Sequence, residues 1–575
     1  MQERIRVFHI SPEWCGQERL VQLFRMNGFP SLCHEDGRLA EDIVFAKARR
    51  QPPLQSHDDA WLVTGLYRSQ PFWRPPLEAW REFAFLDQHF PQARFILTTR
   101  DPDSWLFDRL TRDKGAIARA HACHRGVAAS ALPDLWLAEW QAHLQAVQAY
   151  FGDDPRLIRV DLERETPQQL CQRLSDWLPL PNHPARRHWM PPADAGQVLL
   201  LQDLLEQKLP KPPDDAGEWV ADVADFCLRG LHPDQAGRAG VSRFYCEWDG
   251  AERVLGAGGQ GQPIAVAPLA AGGAVAVARA GVHHKLERAE GVINDALRLG
   301  RRQPLRIDME DSRWMGSPQG QPLGAPVLCH NRRHDSRNVV LWPLPGQHDI
   351  GMPGFDPHAP PDRIAFEDKE DRLVWRGMIS GSRMRDGVKP GPASHIYLTQ
   401  LAAAPDEAAR QAIWAELSQT SRLAFVRRWI DHPDFDLGVV MAWGFREFAR
   451  DPLLAPYCKP RRGTTFFRRF RYQLCLGGYD HGSNFMTAIN SRSVLLAEDD
   501  GWEVFYSGRF KPWKHFIPVA RYGADIAEKL AWARRNPKEC KAMSQAGRAE
   551  AARFADPDLR RQVKARILDA LAPPR

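Results

Sequence analysis

No stretch of this chain is apolar over the roughly 20 consecutive residues that a membrane-spanning helix needs, so no integral membrane segment is expected. Nor do the ten cysteines contain a C-x-x-C pair. Their scatter argues against a zinc ribbon, a redox dithiol or a disulfide framework, and for reduced thiols. Excess charge is missing too: 77 Lys and Arg against 71 Asp and Glu leave a formal charge of +6. That balance permits attraction to a diphosphate but lacks the strong basic bias of a nucleic-acid binder. Internal repeats and low-complexity segments are absent as well. Met1-Gln-Glu-Arg-Ile-Arg6 leads into a strand without the apolar core of a signal peptide. The expectation is a cytoplasmic protein, with peripheral association at the inner face of a membrane left open.

What is present points to an α/β protein of several domains, since 575 residues exceed what one core accommodates. In residues 1–190, strands are predicted at Arg4–Ile10, Trp61–Thr64, Ala93–Thr99 and Leu157–Val160. Helices are predicted at Gln17–Asn27 and Leu77–Gln88. Short apolar runs alternating with helices imply a parallel sheet. Residues 191–240 read as a linker, with Pro191-Pro192 and Leu209-Pro-Lys-Pro-Pro213 flanking a helix near Gln197–Lys208. A second α/β unit is placed at 241–345, with strands at Arg243–Trp248, Ile264–Ala267, Leu305–Met309 and Val339–Pro343 and a helix at Leu286–Leu299. A third occupies 346–575, with a strand at Leu373–Gly377 and a helix across Asp406–Gln419. Gly256-Ala-Gly-Gly-Gln-Gly261 precedes a strand rather than a helix, so a hairpin turn is expected there instead of a dinucleotide loop. His121, Cys123 and His124, and the pair His283-His284, lack zinc spacing with distant partners and are read as surface or structural.

The stretch from Arg471 to Glu550 carries the most information. It runs strand, glycine loop, helix, strand: Arg471-Tyr-Gln-Leu-Cys-Leu-Gly-Gly-Tyr-Asp-His-Gly-Ser-Asn-Phe485, then Asn490-Ser-Arg-Ser-Val-Leu-Leu496. Gly501-Trp-Glu-Val-Phe-Tyr506, Lys511-Pro-Trp-Lys-His-Phe-Ile-Pro-Val519 and a long helical run follow. A loop of Gly, Ser and Asn at a strand end lets the backbone approach a phosphate, and the next helix presents unpaired N–H groups. This order resembles the nucleotide-sugar half of glycosyltransferase family 90, which includes Rumi-type protein O-glucosyltransferases and bacterial surface-polysaccharide transferases. The resemblance covers about residues 240–555 and implies a GT-B architecture, two Rossmann-like halves facing a cleft.

The resemblance also assigns residues. Trp375-Arg-Gly-Met-Ile-Ser-Gly-Ser-Arg383 is similar to the family's W/F-R-G segment, whose Gly and hydroxyl loop faces the donor diphosphate. Arg376 and Arg383 would counter phosphate charge, Gly377 and Gly381 would open the backbone, and Ser380 is a donor-binding candidate on the same loop. Arg471 matches a Lys/Arg-Tyr position, and Gly478, Asp480 and Ser483 match G-x-D-x-x-S/T. Asn484 stands where some eukaryotic members carry Arg. Glu503 matches an acidic position that would hold ribose or donor-sugar hydroxyls. Trp513 and His515 lie in a stretch similar to P-W-x-H-Y-x-P-V, where Trp513 and Phe516 are expected to pack in the core. Arg422 either reaches the diphosphate or belongs to a solvated helix face.

Sugar transfer from a nucleotide diphosphate needs a base for the acceptor hydroxyl and positive or N–H groups for the departing diphosphate. Asp311, just past a predicted strand, is the candidate base, in a position similar to the family's catalytic aspartate. Family members usually carry Pro soon after it, whereas Ser312-Arg313-Trp314 follow here. Asp308 and Glu310 are alternatives, and a turn or helix cap is the structural reading of Asp311. From residue 241 onward no D-x-D stands at the end of a predicted strand, so a site without metal or other cofactor is expected, with a UDP-sugar as co-substrate.

Residues 1–190 resemble a small bacterial sulfotransferase domain of P-loop-like type. The carrying segments are Phe8-His-Ile-Ser-Pro-Glu-Trp-Cys-Gly-Gln-Glu-Arg-Leu20, Arg94-Phe-Ile-Leu-Thr-Thr-Arg-Asp-Pro-Asp-Ser-Trp105 and Leu157-Ile-Arg-Val-Asp-Leu-Glu163. By that resemblance Arg100 would grip the 3′-phosphate of phosphoadenosine phosphosulfate (PAPS). The family's loop lysine is missing, however, and Glu13, Glu18 and Asp108 would set carboxylates near the anion. The expectation is a fold retained without its donor site, with Arg19 as the one substitute for the lysine.

Together these readings predict an inverting, metal-independent transferase moving glucose or a xylose-like sugar from UDP to a hydroxyl of a cell-surface glycan or protein. The alternatives are a bifunctional glycosyl- and PAPS-dependent sulfotransferase, and a non-catalytic scaffold.

Overall fold

Short runs of apolar residues bounded by glycine and polar turns become the parallel strands on which both units are built, as seen in a computed structural model. It describes residues 5–572 apart from 58, 71–72, 185–194, 207–212, 233–243, 252–253, 257–263, 269–272, 279–281, 312–313, 358 and 384–391. The expected hairpin turn after Gly256, residues 257–261, and the linker prolines at 191, 192, 210 and 212 fall outside the described residues. The chain is mixed α/β and divides into two compact units. One comprises 1–211 with 245–305, the other 212–244 with 306–575, so the stretch read as one unit at 241–345 is shared between them.

The first unit is built on a five-stranded parallel sheet of β1 (Val7–His9), β2 (Ser31–Cys33), β3 (Leu62–Thr64), β4 (Arg94–Thr99) and β5 (Leu157–Asp161), in the order β2-β3-β1-β4-β5. Alternation along the strands sends Phe8, Val63 and Phe95 to one core and Val7, Leu62 and Ile96 to the other, so both faces are covered. A hairpin, β6 (Ile264–Pro268) with β7 (Ala274–Ala278), places Ala267, Val275 and Val277 in the same core as Phe8 and Ile43. That burial ties the hairpin, within 245–305, to this unit. The predicted helix Leu77–Gln88 is shorter than expected. Leu77–Glu78 pairs with Tyr67–Arg68 as a small ladder, and the α-helix begins at Phe83. Helix α1 (Gln17–Met26) follows Gly16, while α2 (Pro102–Thr111) starts at Asp101, whose carboxylate accepts from the Ser104 N–H ahead of a proline at the first turn.

In the second unit, β8 (Leu305–Ile307), β9 (Val327–Cys329) and β10 (Val339–Leu341) pair in parallel, with β9 between the others. A second, five-stranded parallel sheet follows: β11 (Glu370–Gly377), β12 (Phe435–Val439), β13 (Phe470–Cys475), β14 (Val494–Glu498) and β15 (Ile517–Val519), in the order β12-β11-β13-β14-β15. Its core joins Leu373, Trp375, Leu437, Leu474 and Leu496 to Leu398 and Leu401 of helix α3 (Ser394–Ala402), and to Leu423 and Val426 of α4 (Ser421–Trp429). The chain leaves β11 first toward one side and then toward the other. The strand order therefore reverses between β11 and β13, and a crevice opens outside their carboxyl ends.

Candidate functional site

Four segments meet beyond the carboxyl ends of the second unit's strands. The loop after β11 brings Ser380, whose Oγ accepts from the Tyr479 N–H at 3.3 Å. The glycine loop after β13 carries Gly478, where an added Cβ would lie 2.5 Å from Ser380 Oγ and 3.0 Å from the Arg422 guanidinium carbon. A side chain at 478 would thus wedge the two loops apart. Arg422, on α4, lies beneath them and donates to the carbonyls of Gly477 (3.1 Å), Leu476 (2.8 Å) and Met378 (3.3 Å). It clasps the loops to each other rather than reaching outward. Asp499 and Asp500 follow β14, and Arg521 and Tyr522 follow β15.

These ends surround a cavity of about 520 Å³, within the usual range for small-molecule sites. Gly478, Tyr479, Ser382, Arg383, Ser421 and Arg521 line one part of it, and Trp314, Arg333 and Trp502 another. The Arg333 guanidinium lies 5.0 Å from the centroids of both Trp314 and Trp502, stacked as cation–π contacts. Arg521 donates to the Asp500 carbonyl at 2.7 Å, and Arg383 pairs with Glu416 at 2.7 Å across a half-exposed contact.

The glycine loop is satisfied internally to a degree that the motif did not reveal. Gly477 N–H donates to the buried Glu498 carboxylate (2.8 Å), and Gly478 N–H to the Asp480 carbonyl (2.9 Å). With Tyr479 bound to Ser380, the first three loop amides face protein partners. Helix α7 is too short to help much: counting α5 (Glu407–Leu417) and α6 (Thr464–Phe467) ahead of it, α7 (Phe485–Ile489) has five residues and a correspondingly small macrodipole. Charge for a diphosphate must come from arginine instead.

The sequence-assigned residues separate into two sets. Arg383, Gly478 and Glu503 line the cavity, and Ser380, Arg422 and Asp480 sit against its wall. The Glu503 carboxylate receives Arg332 Nε at 3.0 Å and the Arg229 guanidinium at 2.5 Å, so its acidic charge is already met by two cations. Ser483 is exposed in the turn before α7, and the Asn484 amide donates back to the Leu474 carbonyl at 2.8 Å. Arg376 and Gly377 lie within β11, and the Arg376 guanidinium binds Asp436 at 2.6 Å and stacks on Phe466. Arg471 is the second residue of β13, at the far end from the glycine loop, and donates to the Phe366 and Glu367 carbonyls. Neither arginine is among the cavity's lining. Trp513 is also not in the core: it is 44% exposed and meets Trp532 edge-on at 4.8 Å.

Asp311 lies past β8 in the same unit. Its carboxylate Oδ1 is 3.7 Å from His330 Nε2, which is 3.1 Å from Asp480 Oδ2. Among the described residues, these three form a group whose potential metal-ligand atoms lie within 4.8 Å of one another. Asp308, by contrast, is fully buried, its carboxylate accepting from the Glu310 N–H at 3.1 Å. Burial first, with the charge of Asp311 among lesser causes, raises the Tyr479 phenol above its ordinary value, tying Asp311 to a residue that lines the cavity.

His481, next in the glycine loop, contacts Asp500 Oδ2 at 3.0 Å. Burial alone would depress its imidazole. The charge and hydrogen bond of Asp500, joined by Asp480, outweigh that and hold it above its ordinary value. A raised folded-state value stabilises the fold fully below the ordinary histidine value of about 6.5, and the contribution is lost as pH rises through the folded value. Thermal unfolding should therefore show a melting temperature that falls across this rise, and Asp500→Asn should flatten the fall. An unchanged profile in that variant would contradict the assignment.

In the first unit, the loop Glu13–Gly16 and Arg100 stand at the corresponding strand ends. Arg100 is buried, donating to Asp108 at 2.6 Å and to the Trp14 carbonyl at 3.2 Å. Its charge is met by the carboxylate expected to repel a phosphate. Glu13 turns away to Arg109 (2.7 Å), so the repulsion expected from it is cancelled. At Gly16, with φ +86°, an added Cβ would lie 3.0 Å from the Leu162 side chain.

Residues missed in the sequence are those just beyond strand ends without a glycine signature: His330, Arg333, Asp499, Asp500 and Arg521. Their usable signal was position, one to four residues after an apolar strand.

Residues 461–562 match the model of glycosyl transferase family 90. Human protein O-glucosyltransferase 3 is 25% identical over 131 residues, 23% of this chain and 25% of the human protein. O-glucosyltransferase LpsA of Dichelobacter nodosus is 24% identical over 199 residues, 34% of this chain and 48% of LpsA. An uncharacterized protein, 027R, of Frog virus 3 is 26% identical over 114 residues, 19% of this chain and 11% of that protein. The chain thus spans a quarter of the human relative's length and about half of LpsA's.

Proposed function

We propose, from the match of residues 461–562 to glycosyl transferase family 90, that the chain is a glycosyltransferase that moves a sugar from a UDP-sugar to an acceptor hydroxyl. Asp311 takes the hydroxyl proton. The acceptor oxygen forms a bond to the sugar's anomeric carbon while the bond from that carbon to the diphosphate breaks, its electron pair leaving with UDP. Direct displacement of this kind inverts the anomeric centre. The observation that carries the reading is the meeting, within one unit, of the family's glycine loop, the candidate base and a cavity lined by Arg383, Arg333 and Arg521.

In this reading the two parallel sheets of the second unit act as GT-B halves. Arg383 and Arg521, with the hydroxyls of Ser382 and Ser421, take over the diphosphate role first given to Arg376 and Arg471. Trp314 and Trp502 offer aromatic faces to a ring of the donor. The acceptor is a glycan or protein hydroxyl at the cell surface, and the proposed location is cytoplasmic; among the described residues no helix is long and apolar enough to cross a membrane.

Residues 1–190 are proposed to keep a sulfotransferase-like fold without its donor site, because Asp108 occupies Arg100. Incubation with a panel of UDP-sugars tests the main reading: UDP release with at least one donor is expected, and no release with any would leave a scaffold. Calorimetry with PAPS is expected to show no heat. Binding would make the chain bifunctional.

A further inference from the structure

The base and the donor loop are joined by one imidazole. His330 directly follows β9 and is 2% exposed. Its Nε2 reaches Asp480 at 3.1 Å on the glycine loop and Asp311 at 3.7 Å past β8. The Asn331 amide donates to the Glu310 carbonyl at 3.3 Å, one residue before Asp311, and its Nδ2 lies 2.8 Å from the same imidazole nitrogen, a contact rather than a hydrogen bond when Nε2 is protonated. Two carboxylates on separate loops repel each other, and an N–H that donates to Asp480 and faces Asp311 at 3.7 Å offsets that repulsion only when both loops are in place.

Resting on the reading of Asp311 as base, we propose that His330 is a positioning residue: it couples the aim of the Asp311 carboxylate to the seating of the glycine loop through Asp480. His330 donates its Nε2 proton toward Asp480 and carries no proton of the reaction. The acceptor proton goes to Asp311. A base displaced by about 1 Å loses roughly 10²-fold in rate, so removal of the imidazole acts on turnover more than on donor affinity.

The test compares His330→Ala, His330→Gln and Asp480→Asn in the full chain, with the UDP-sugar that the wild type turns over. His330→Ala should lower kcat about 10²-fold, with donor KM changed by less than about threefold. His330→Gln, which keeps an N–H near the Nε2 position, should recover about tenfold of that loss. In an Asp311→Asn background His330→Ala should add less than about threefold, because residues acting as one unit are not additive. If His330→Ala does not fold, His330→Gln and Asp480→Asn are read in the same way.

Additive losses, or a lowered melting point with unchanged kcat, would overturn the coupling and leave the transferase reading standing. Turnover lost to a chelator and restored by Mg²⁺ or Mn²⁺ would also overturn it, making the three residues metal ligands. A wild type inactive with every UDP-sugar would remove the reading on which the proposal rests, and the proposal with it.

Discussion

Asp311→Asn is expected to lower sugar transfer by about 10²–10⁴-fold, the range over which a positioned general base acts. The substitution keeps the size of the side chain and its reach toward His330 but removes the charge that accepts a proton. Binding of UDP, measured by calorimetry, should change little, because the cavity's arginines lie on other segments. Asp308→Asn is the control: that carboxylate is fully buried and accepts from the Glu310 N–H, so its loss should show in stability first. An Asp311→Asn enzyme with most of the wild-type turnover would remove the residue from the chemistry.

Glu290→Ala should cost the first unit about 3–5 kcal/mol, the usual effect of breaking a buried ion pair from one side. Glu290 is fully buried, with Arg74 Nη2 at 2.5 Å and Arg68 Nη2 at 3.3 Å, and it accepts from the Ala278 N–H at 3.0 Å. Glu41 completes a neutral group of two guanidinium and two carboxylate side chains, meeting Arg68 at 2.7 Å and Arg74 at 2.9 Å. Without Glu290, two buried cations share one carboxylate and a backbone N–H loses its acceptor. Urea unfolding of the full chain should show the first unit's transition moved to lower denaturant. A shift below about 1 kcal/mol would mean that water or rearrangement satisfies the arginines. Sequence patterns gave no hint of this network, because its ion-paired members lie 27 to 222 residues apart.

Strands were legible where apolar runs are short and bounded by glycine or polar turns. β4 and β13 fall close to the runs that predicted them, because burial on both faces leaves a continuous apolar signature. β12 was not anticipated: Phe435-Asp-Leu-Gly-Val439 carries an Asp that serves Arg376 and Lys459 rather than solvent, and a Gly under the Lys459 stem. The 20-residue helix Leu132–Phe151 was missed as well, its four aromatic residues blurring the periodicity of its face.

The site was legible where a motif and a strand's carboxyl end coincide. Gly478 and Asp480 satisfy both conditions. Arg376 and Arg471 satisfy only the motif. Arg376 lies before the end of its strand with Asp436 beside it, and Arg471 lies near the start of its strand, so neither guanidinium is among the cavity's lining. Arg521 satisfies only position and is found in the cavity wall. In a parallel sheet, the end of the strand decides whether a side chain meets ligand, and a one-dimensional motif does not record which end it occupies.

A structure of the chain with UDP bound tests the central claim most directly. The diphosphate should lie beside Ser380 and Gly478, within hydrogen-bond reach of Arg383 or Arg521, with the leaving oxygen directed toward Asp311. UDP held at another surface, with the crevice between β11 and β13 vacant, would contradict it.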